Sequence, residues 1–310
     1  MSTTPQPLVA PATMTSWYEA SARTRLRLLL DPDSFVEFIG PEKREVSPHL
    51  KVFDLPEQFD DGIVVGCGSL GGSKVLLAAQ EGRFMGGAFG EVHGAKLTGL
   101  LRGARDIGSM PVLILFDTGG VRLQEANAGE LAIAEIMRAV IEARSAGVKV
   151  VGLIGGRSGC YGGGGLIAGC CSALAVSEQG RIAVSGPEVI ETNRGVEEFD
   201  SRDRALVWRT MGGKHRRLLG AAEVFVDDTV QAFRDAALAL LGEAGGFGLD
   251  ALAQEQARLE ARLHDFGACA DALDIWSAMG VPDADAVSAM PADQFVTLAD
   301  TFGRISHDAR

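Results

Sequence analysis

The run Gly155-Gly156-Arg157-Ser158-Gly159-Cys160-Tyr161-Gly162-Gly163-Gly164-Gly165 stands between an apolar strand-like segment, 149–154, and Leu166-Ile167-Ala168. Glycine is costly to order, so four in succession serve either a turn that needs left-handed backbone or a ligand that must touch bare main chain. A helix beginning near Gly163 would leave its first N–H groups without acceptors, at the positive end of the helix dipole. Amides placed in this way build an oxyanion hole, which holds the charge developing on a carbonyl or thioester oxygen. Taken alone, the glycines fit a ligand-free strand-to-helix turn equally well.

A second group of polar residues follows another apolar run, 111–116: Asp117-Thr118-Gly119-Gly120-Val121-Arg122-Leu123-Gln124-Glu125. Polar groups gathered at the carboxyl end of a strand are where α/β proteins bind ligands. An Arg122–Glu125 pair that merely pins the loop is the competing reading. The shorter Gly86-Gly87-Ala88-Phe89-Gly90 is open to the same two readings, ligand approach or close packing.

Other motifs drop out. Gly66-Cys67-Gly68-Ser69-Leu70-Gly71 has the G-x-G-x-x-G form, but the strand-like 74–79 follows it where a dinucleotide site needs a helix. There is no G-x-S-x-G and no G-x-x-x-x-G-K-[ST], so serine hydrolases and P-loop NTPases are excluded. Cysteines 67, 160, 170, 171 and 269 form no C-x-x-C pair and have no histidine at zinc-ligand spacing, so no metal site is expected. His93 and His215 have no partner at readable spacing and read as structural. Lys214-His215-Arg216-Arg217 reads as a solvated basic patch, with carrier phosphates or an acidic partner as the alternative. The net charge of −12 argues against nucleic acid and anionic lipid. No signal sequence and no apolar run of membrane-spanning length is evident, so a cytoplasmic location is expected.

The elements that must position these residues follow from pattern. Residues 1–13 read as a tail; Ser16-Trp17-Tyr18-Glu19 has the capping-box form and opens a helix to Leu30, stopped by Asp31-Pro32. Residues 39–61 read as an extended arm. Two strands, 63–68 and 74–79, make a hairpin; a helix at 91–107, a strand at 111–116, a helix to 146 and a strand at 149–154 follow. Short strands at 174–176 and 182–184 come next, and everything beyond 197 reads as helix and loop. The expected fold is α/β, a spiral core with a helical C-terminal region, rather than a doubly wound sheet. The division is 1–60 (tail, helix and arm), 61–245 (core) and 246–310 (helical extension). Leu252, Leu259, Leu263, Phe266 and Leu273 mark the last as amphipathic, packed on the core or on a partner.

Together, Gly86 to Glu91, DTGGVRLQEA from Asp117, the glycine run and Ser185-Gly186-Pro187-Glu188-Val189-Ile190-Glu191 resemble the carboxyltransferase family of the crotonase superfamily. The likeness spans roughly 60–240. With Ser47 to Phe53 and Asp274-Ile275-Trp276 included, the chain looks most like the beta subunits of biotin-independent malonate decarboxylases. Acetyl-CoA carboxylase beta subunits are the nearest alternative, but they usually begin with a four-cysteine zinc ribbon that this chain lacks.

The resemblance implies a crotonase-like spiral of ββα units and a site completed by a homologous gamma subunit. It further implies an acyl carrier protein subunit with a dephospho-CoA-derived prosthetic group, an acyl transferase alpha subunit, and neither biotin nor a cofactor bound by this chain. Malonyl thioester would lose CO2 to leave an acetyl thioester. By the same resemblance Gly162 and Gly163 are the oxyanion donors, with Gly164 flanking. Gly119, Gly120, Arg122, Gln124, Gly87 and Ala88 bind substrate. Tyr161 is the nearest candidate in sequence for proton donor, with water or a gamma-subunit residue as alternatives.

Overall fold

The computed structural model describes residues 11–52, 62–125, 127–243 and 247–303. In chain order the elements are α1 (Ala22–Leu29), β1 (Val36–Phe38), α2 (His49–Val52), β2 (Ile63–Leu70), β3 (Ser73–Gln80), α3 (Glu91–Ile107), β4 (Val112–Phe116), α4 (Asn127–Ser145) and β5 (Val150–Ile154). Then come β6 (Cys160–Tyr161), α5 (Gly163–Cys170), β7 (Ala173–Ser177), β8 (Ile182–Ala183), α6 (Pro187–Arg194), α7 (Arg204–Met211), α8 (Gly213–Leu218) and β9 (Val224–Val226). The chain continues through α9 (Val230–Gly242), α10 (Leu249–Phe266), α11 (Ala272–Ala278) and α12 (Ala292–Phe302).

The main sheet runs β1-β2-β3-β4-β5-β7-β9. Its first two pairings are antiparallel and the rest parallel. β4 and β5 are continuous apolar runs because both faces of the sheet are covered. Along β4 the period of two sends Val112, Ile114 and Phe116 to the core beneath α3, α4 and α5. Leu113 and Leu115 go to the opposite core with Trp17, Leu26 and Phe233. Each such side chain contributes about 1.5–3 kcal/mol by leaving water.

A second layer gives the fold its character. β6 pairs β8 in parallel, and parallel bridges join Thr118 to Cys160 and Phe89 to Val121. Each turn therefore supplies a main-sheet strand, a short second-layer segment and a helix, which is the expected spiral of ββα units. The G-x-G-x-x-G run lies within β2 and its hairpin turn, where Gly71 and Gly72 both take positive φ and their amides donate to Asp31. No helix among the described residues is long and apolar enough to cross a membrane.

Three local expectations change. The first helix begins at Ala22, capped by Ser21; Ser16 Oγ does accept from Glu19 N–H, but it also donates to Asp228 and its segment ends as a turn. β1 is a strand just before the expected arm, where no element was assigned, and β9 one where helix and loop were expected; each has only three residues, too few for a period to register. The basic run is not a solvated patch. Lys214 Nζ donates to the carbonyls of Ser288 and Met290, and Arg217 donates to Asp300 and Ala299. The run is thus a clasp that holds the C-terminal helices. Residues 53–61 of the expected arm, 1–10 of the tail and 304–310 lie outside the described residues.

His215 belongs to that clasp. It is buried and its Nδ1 accepts from Trp276 Nε1 at 3.2 Å. Burial, with Arg216 adding to it, pushes its pKa down to about 3. The neutral ring is therefore favoured by folding. Its stabilisation is complete above the unfolded pKa near 6.5 and is lost as the pH falls toward 3, by up to about 1.4 kcal/mol per pH unit. The variant His215→Gln, which can still accept from Trp276, is expected to flatten this part of the acid limb. Urea midpoints of both proteins between pH 7 and pH 4.5 test it; parallel curves would refute it.

Candidate functional site

Three of the motif segments, around Gly86, Asp117 and the glycine run, lie side by side in the second layer with β8, and the fourth follows β8 into α6. Gly119 N–H donates to Gly86 O at 2.8 Å, Phe89 N–H to Gly120 O at 2.8 Å and Arg122 N–H to Phe89 O at 2.9 Å. Across the next gap, Thr118 N–H donates to Gly159 O and Tyr161 N–H to Thr118 O. Cys160 and Gly162 N–H complete the ladder by donating to Arg181 O and Ala183 O. Backbones this close leave no room for side chains: a Cβ on Gly87 would stand 1.7 Å from Asp117 O. That is the physical reason for glycine at 87, whose φ is also positive.

Gly162 has φ 57° and ψ −129°, a conformation L-residues adopt only under strain, and it turns the chain from β6 into α5. Its amide, expected as an oxyanion donor, is occupied by Ala183 O at 3.1 Å. Among the described residues the amides of the next three, Gly163, Gly164 and the half-buried Gly165, have no acceptor. Gly163 and Gly164 are buried at the first turn of α5. Their positions are tightly enclosed: a Cβ on Gly163 would meet Ile133 Cδ1 at 2.5 Å, and one on Gly164 would meet Thr118 Cγ2 at 2.4 Å.

The other expected site residues are placed unequally. Gly120 is buried beside Gly162, while Gly119 and Gln124 are exposed at the rim. The amides of Gly87 and Ala88 are spent on Phe84 and Met85 carbonyls, and those of Gly119 and Gly120 on Gly86 O and Thr118 Oγ1. Arg122 points inward. It is buried, pairs with Glu125 at 3.0 Å and lies over the Phe84 ring, so it pins the loop rather than reaching a ligand. Glu125 also accepts from Glu91 N–H at the start of α3.

Tyr161 is buried against Val207 and Met211, with Arg181 over its ring, and among the described residues its hydroxyl has no hydrogen-bond partner. Burial raises its pKa, with Arg181 and Arg216 opposing, so the phenol keeps its proton. We read an enclosed hydroxyl of this kind as a wall rather than a proton source. Tyr161→Phe is therefore expected to keep turnover within about threefold of wild type, well short of the 10²–10⁴ typical of a general acid. A hundredfold loss in steady-state assays would return Tyr161 to the chemistry.

Sequence reasoning passed over the buried polar groups that hold the two glycine loops. Gln80 Oε1 accepts from Asp117 N–H, and its Nε2 donates to Gly87 O and lies 3.2 Å from His93 Nε2. His93 Nδ1 is 3.4 Å from Arg122 Nη2. Asp117 accepts from Ser158 N–H and pairs with Arg25 at 2.8 Å, tying α1 to the site. The available signal was Gln80 itself, a polar residue following the apolar run from Val75 to Ala79.

A sheet, a second layer of short strands and a helix in every turn, with free amides at one helix start, define a crotonase-like protein. The carboxyl transferase domain model matches residues 19–234, and the chain belongs to that family. It is 37% identical over 305 residues to the malonyl-S-ACP:biotin-protein carboxyltransferase MADC of Malonomonas rubra, covering 92% of this chain and 95% of that protein. A chain of a Pseudomonas malonate decarboxylase hetero-tetramer, solved in complex with malonate, matches with 39% identity and a TM-score of 0.77 over 85% of this chain and 97% of that one. A chain of the Pseudomonas malonate decarboxylase MdcD-MdcE hetero-dimer matches with 35% identity and a TM-score of 0.64, over 79% and 96%. The resemblance to malonate decarboxylase subunits is thus borne out.

Proposed function

We propose that this chain is one carboxyltransferase-type half of an enzyme that decarboxylates a malonyl thioester carried on an acyl carrier protein. The observation that carries the reading is the pair of buried, unoccupied amides at Gly163 and Gly164. In the reaction the bond from the α-carbon to the carboxylate breaks, and its electron pair moves onto the thioester oxygen as CO2 leaves. The two amides donate to that oxygen. They are rigid, cannot titrate, and donors of this type are each worth about 3–4 kcal/mol in the transition state. A proton from water or from the second subunit then reaches the enolate carbon and gives the acetyl thioester. An apolar surround for the departing carboxylate would favour neutral CO2.

The reading requires a second, homologous gamma subunit. Leu123, Leu131, Leu166, Val184 and Val189 are exposed on the loop before α4, on α4, α5 and α6, and beside β8, the segments around the glycine run. Apolar side chains concentrated there suit a covering protein surface. The acyl transferase alpha subunit and the dephospho-CoA-derived arm of the carrier protein would deliver malonyl to this pair.

A second reading is carboxyl transfer to biotin, favoured by the name of the Malonomonas relative. The same enolate forms in both. Avidin separates them: decarboxylation by the assembled complex is expected to be insensitive to avidin, and its abolition would establish the transfer reading. In D2O the acetyl product is expected to carry deuterium in its methyl group; its absence would exclude an enolate protonated from exchangeable sites.

A further inference from the structure

Ser47-Pro48-His49-Leu50 has no part in the glycine-lined site, yet it brings a second polar cluster to its rim. His49 Nδ1 lies 3.1 Å from Glu91 Oε2. The buried Ser47 Oγ donates to the same carboxylate oxygen at 3.3 Å and accepts from His49 N–H at 3.3 Å. A carboxylate only accepts, so Nδ1 carries the proton in its contact with Glu91. Ser47 and Glu91 therefore crowd one side of the ring. That excludes a serine triad, in which serine and acid use opposite nitrogens. What remains is an imidazole fixed at Nδ1, with 35% of its side chain exposed and Nε2 without a partner among the described residues. An imidazole oriented by a carboxylate at one nitrogen and open at the other is built for acid–base work.

Its place in the fold puts that nitrogen beside the chemistry. α2 packs against the short turn Leu123–Glu125, and Glu91 opens α3 with its N–H on Glu125. Two residues before Glu91, the Phe89 ring stands 3.5 Å from where a Cβ on Gly164 would be. The imidazole is thus seated on the lip formed by two of the segments that frame the free amides.

We infer that His49, held by Glu91, delivers the proton that decarboxylation consumes, through a water on Nε2. The inference rests on the decarboxylase reading and deepens it by naming the residue behind the water proton. The enolate carbon takes a proton from the water as Nε2–H returns one to the water oxygen. This leaves a neutral imidazole, which bulk solvent reprotonates, so one proton is consumed for each CO2 released.

The test compares His49→Asn and His49→Ala with wild type in the assembled complex, assayed for acetyl thioester formed from malonyl-CoA. Asparagine keeps a donor where Nδ1 stands, so it preserves the contact with Glu91, but it has no counterpart of Nε2. Both variants are expected to lose about 100-fold or more in kcat, the range of a general acid, with KM within about threefold. Added imidazole is expected to restore His49→Ala by at least about tenfold, saturably, and to leave wild type unchanged. Circular dichroism and co-elution with the second subunit should match wild type. Near-wild-type kcat in His49→Asn would make the ring a tether, and a raised KM with unchanged kcat would make it a binding group; either overturns the inference. So does a slow His49→Ala that imidazole does not restore. Failure of the decarboxylase reading looks different, since wild type itself would then form no acetyl thioester.

Discussion

Replacing Gly164 by alanine is expected to lower kcat about 100-fold with little change in KM. The effect does not come from removing a donor, since alanine keeps its N–H. It comes from displacement: the added Cβ would sit 2.4 Å from Thr118 Cγ2, while its next neighbours, Cys160 Sγ and Phe89 Cε2, are at an ordinary 3.5 Å. The helix start must shift, and a misplaced donor loses much of the roughly 100- to 1000-fold that one oxyanion donor supplies. Because one methyl carries the clash, Thr118→Ser should relieve it. Serine retains the hydroxyl that accepts from Gly120 N–H. The double variant Thr118→Ser/Gly164→Ala is expected to recover to within about tenfold of wild type. Steady-state kinetics of the four proteins in the assembled complex decide it. Wild-type kcat in Gly164→Ala, or no recovery in the double variant, would mean that this amide is not held against the reacting oxygen.

Arg122→Met is expected to destabilise the chain by about 3–5 kcal/mol, the usual cost of leaving a buried charge without its partner. Arg122 and Glu125 are both almost wholly shielded from solvent, 3.0 Å apart, and Glu125 also caps the start of α3 through Glu91 N–H. Glu125→Gln removes the orphaned charge and keeps an oxygen for that amide. Arg122→Met/Glu125→Gln should therefore be more stable than Arg122→Met alone, the sign a desolvated ion pair gives and an exposed one does not. Chemical denaturation of the purified variants measures it. A loss under about 1 kcal/mol in Arg122→Met would place the pair in effective contact with water.

The family and the order of the core elements were more legible in the sequence than the positions of individual atoms. Buried parallel strands announce themselves as short apolar runs, so 111–116 and 149–154 could be placed, and the glycines marked the entry to α5, though not the two-residue β6 within the run. What pattern cannot carry is the approach of distant carbonyls. Ala183 O arrives beside Gly162 through the pairing of β6 with β8, and this occupies one of the two amides expected to be free, leaving open those of Gly163 and the residues after it. The basic run failed as a surface patch for the same reason, because Ser288 and Met290 return to it from the C-terminal region. Arg122 was left open between ligand and brace; burial decides for the brace. In α10 the leucines left packing on the core or on a partner open; the arginines hold the helix to the body.

The most direct test of the central claim is CO2 release from malonyl-CoA, standing in for the carrier-bound thioester, by this chain purified with and without a homologous carboxyltransferase subunit, in the absence of biotin. The account predicts release by the mixture alone, with neither subunit active separately. Absence of release from the mixture, followed by carboxyl transfer once a biotinylated carrier is added, would contradict it.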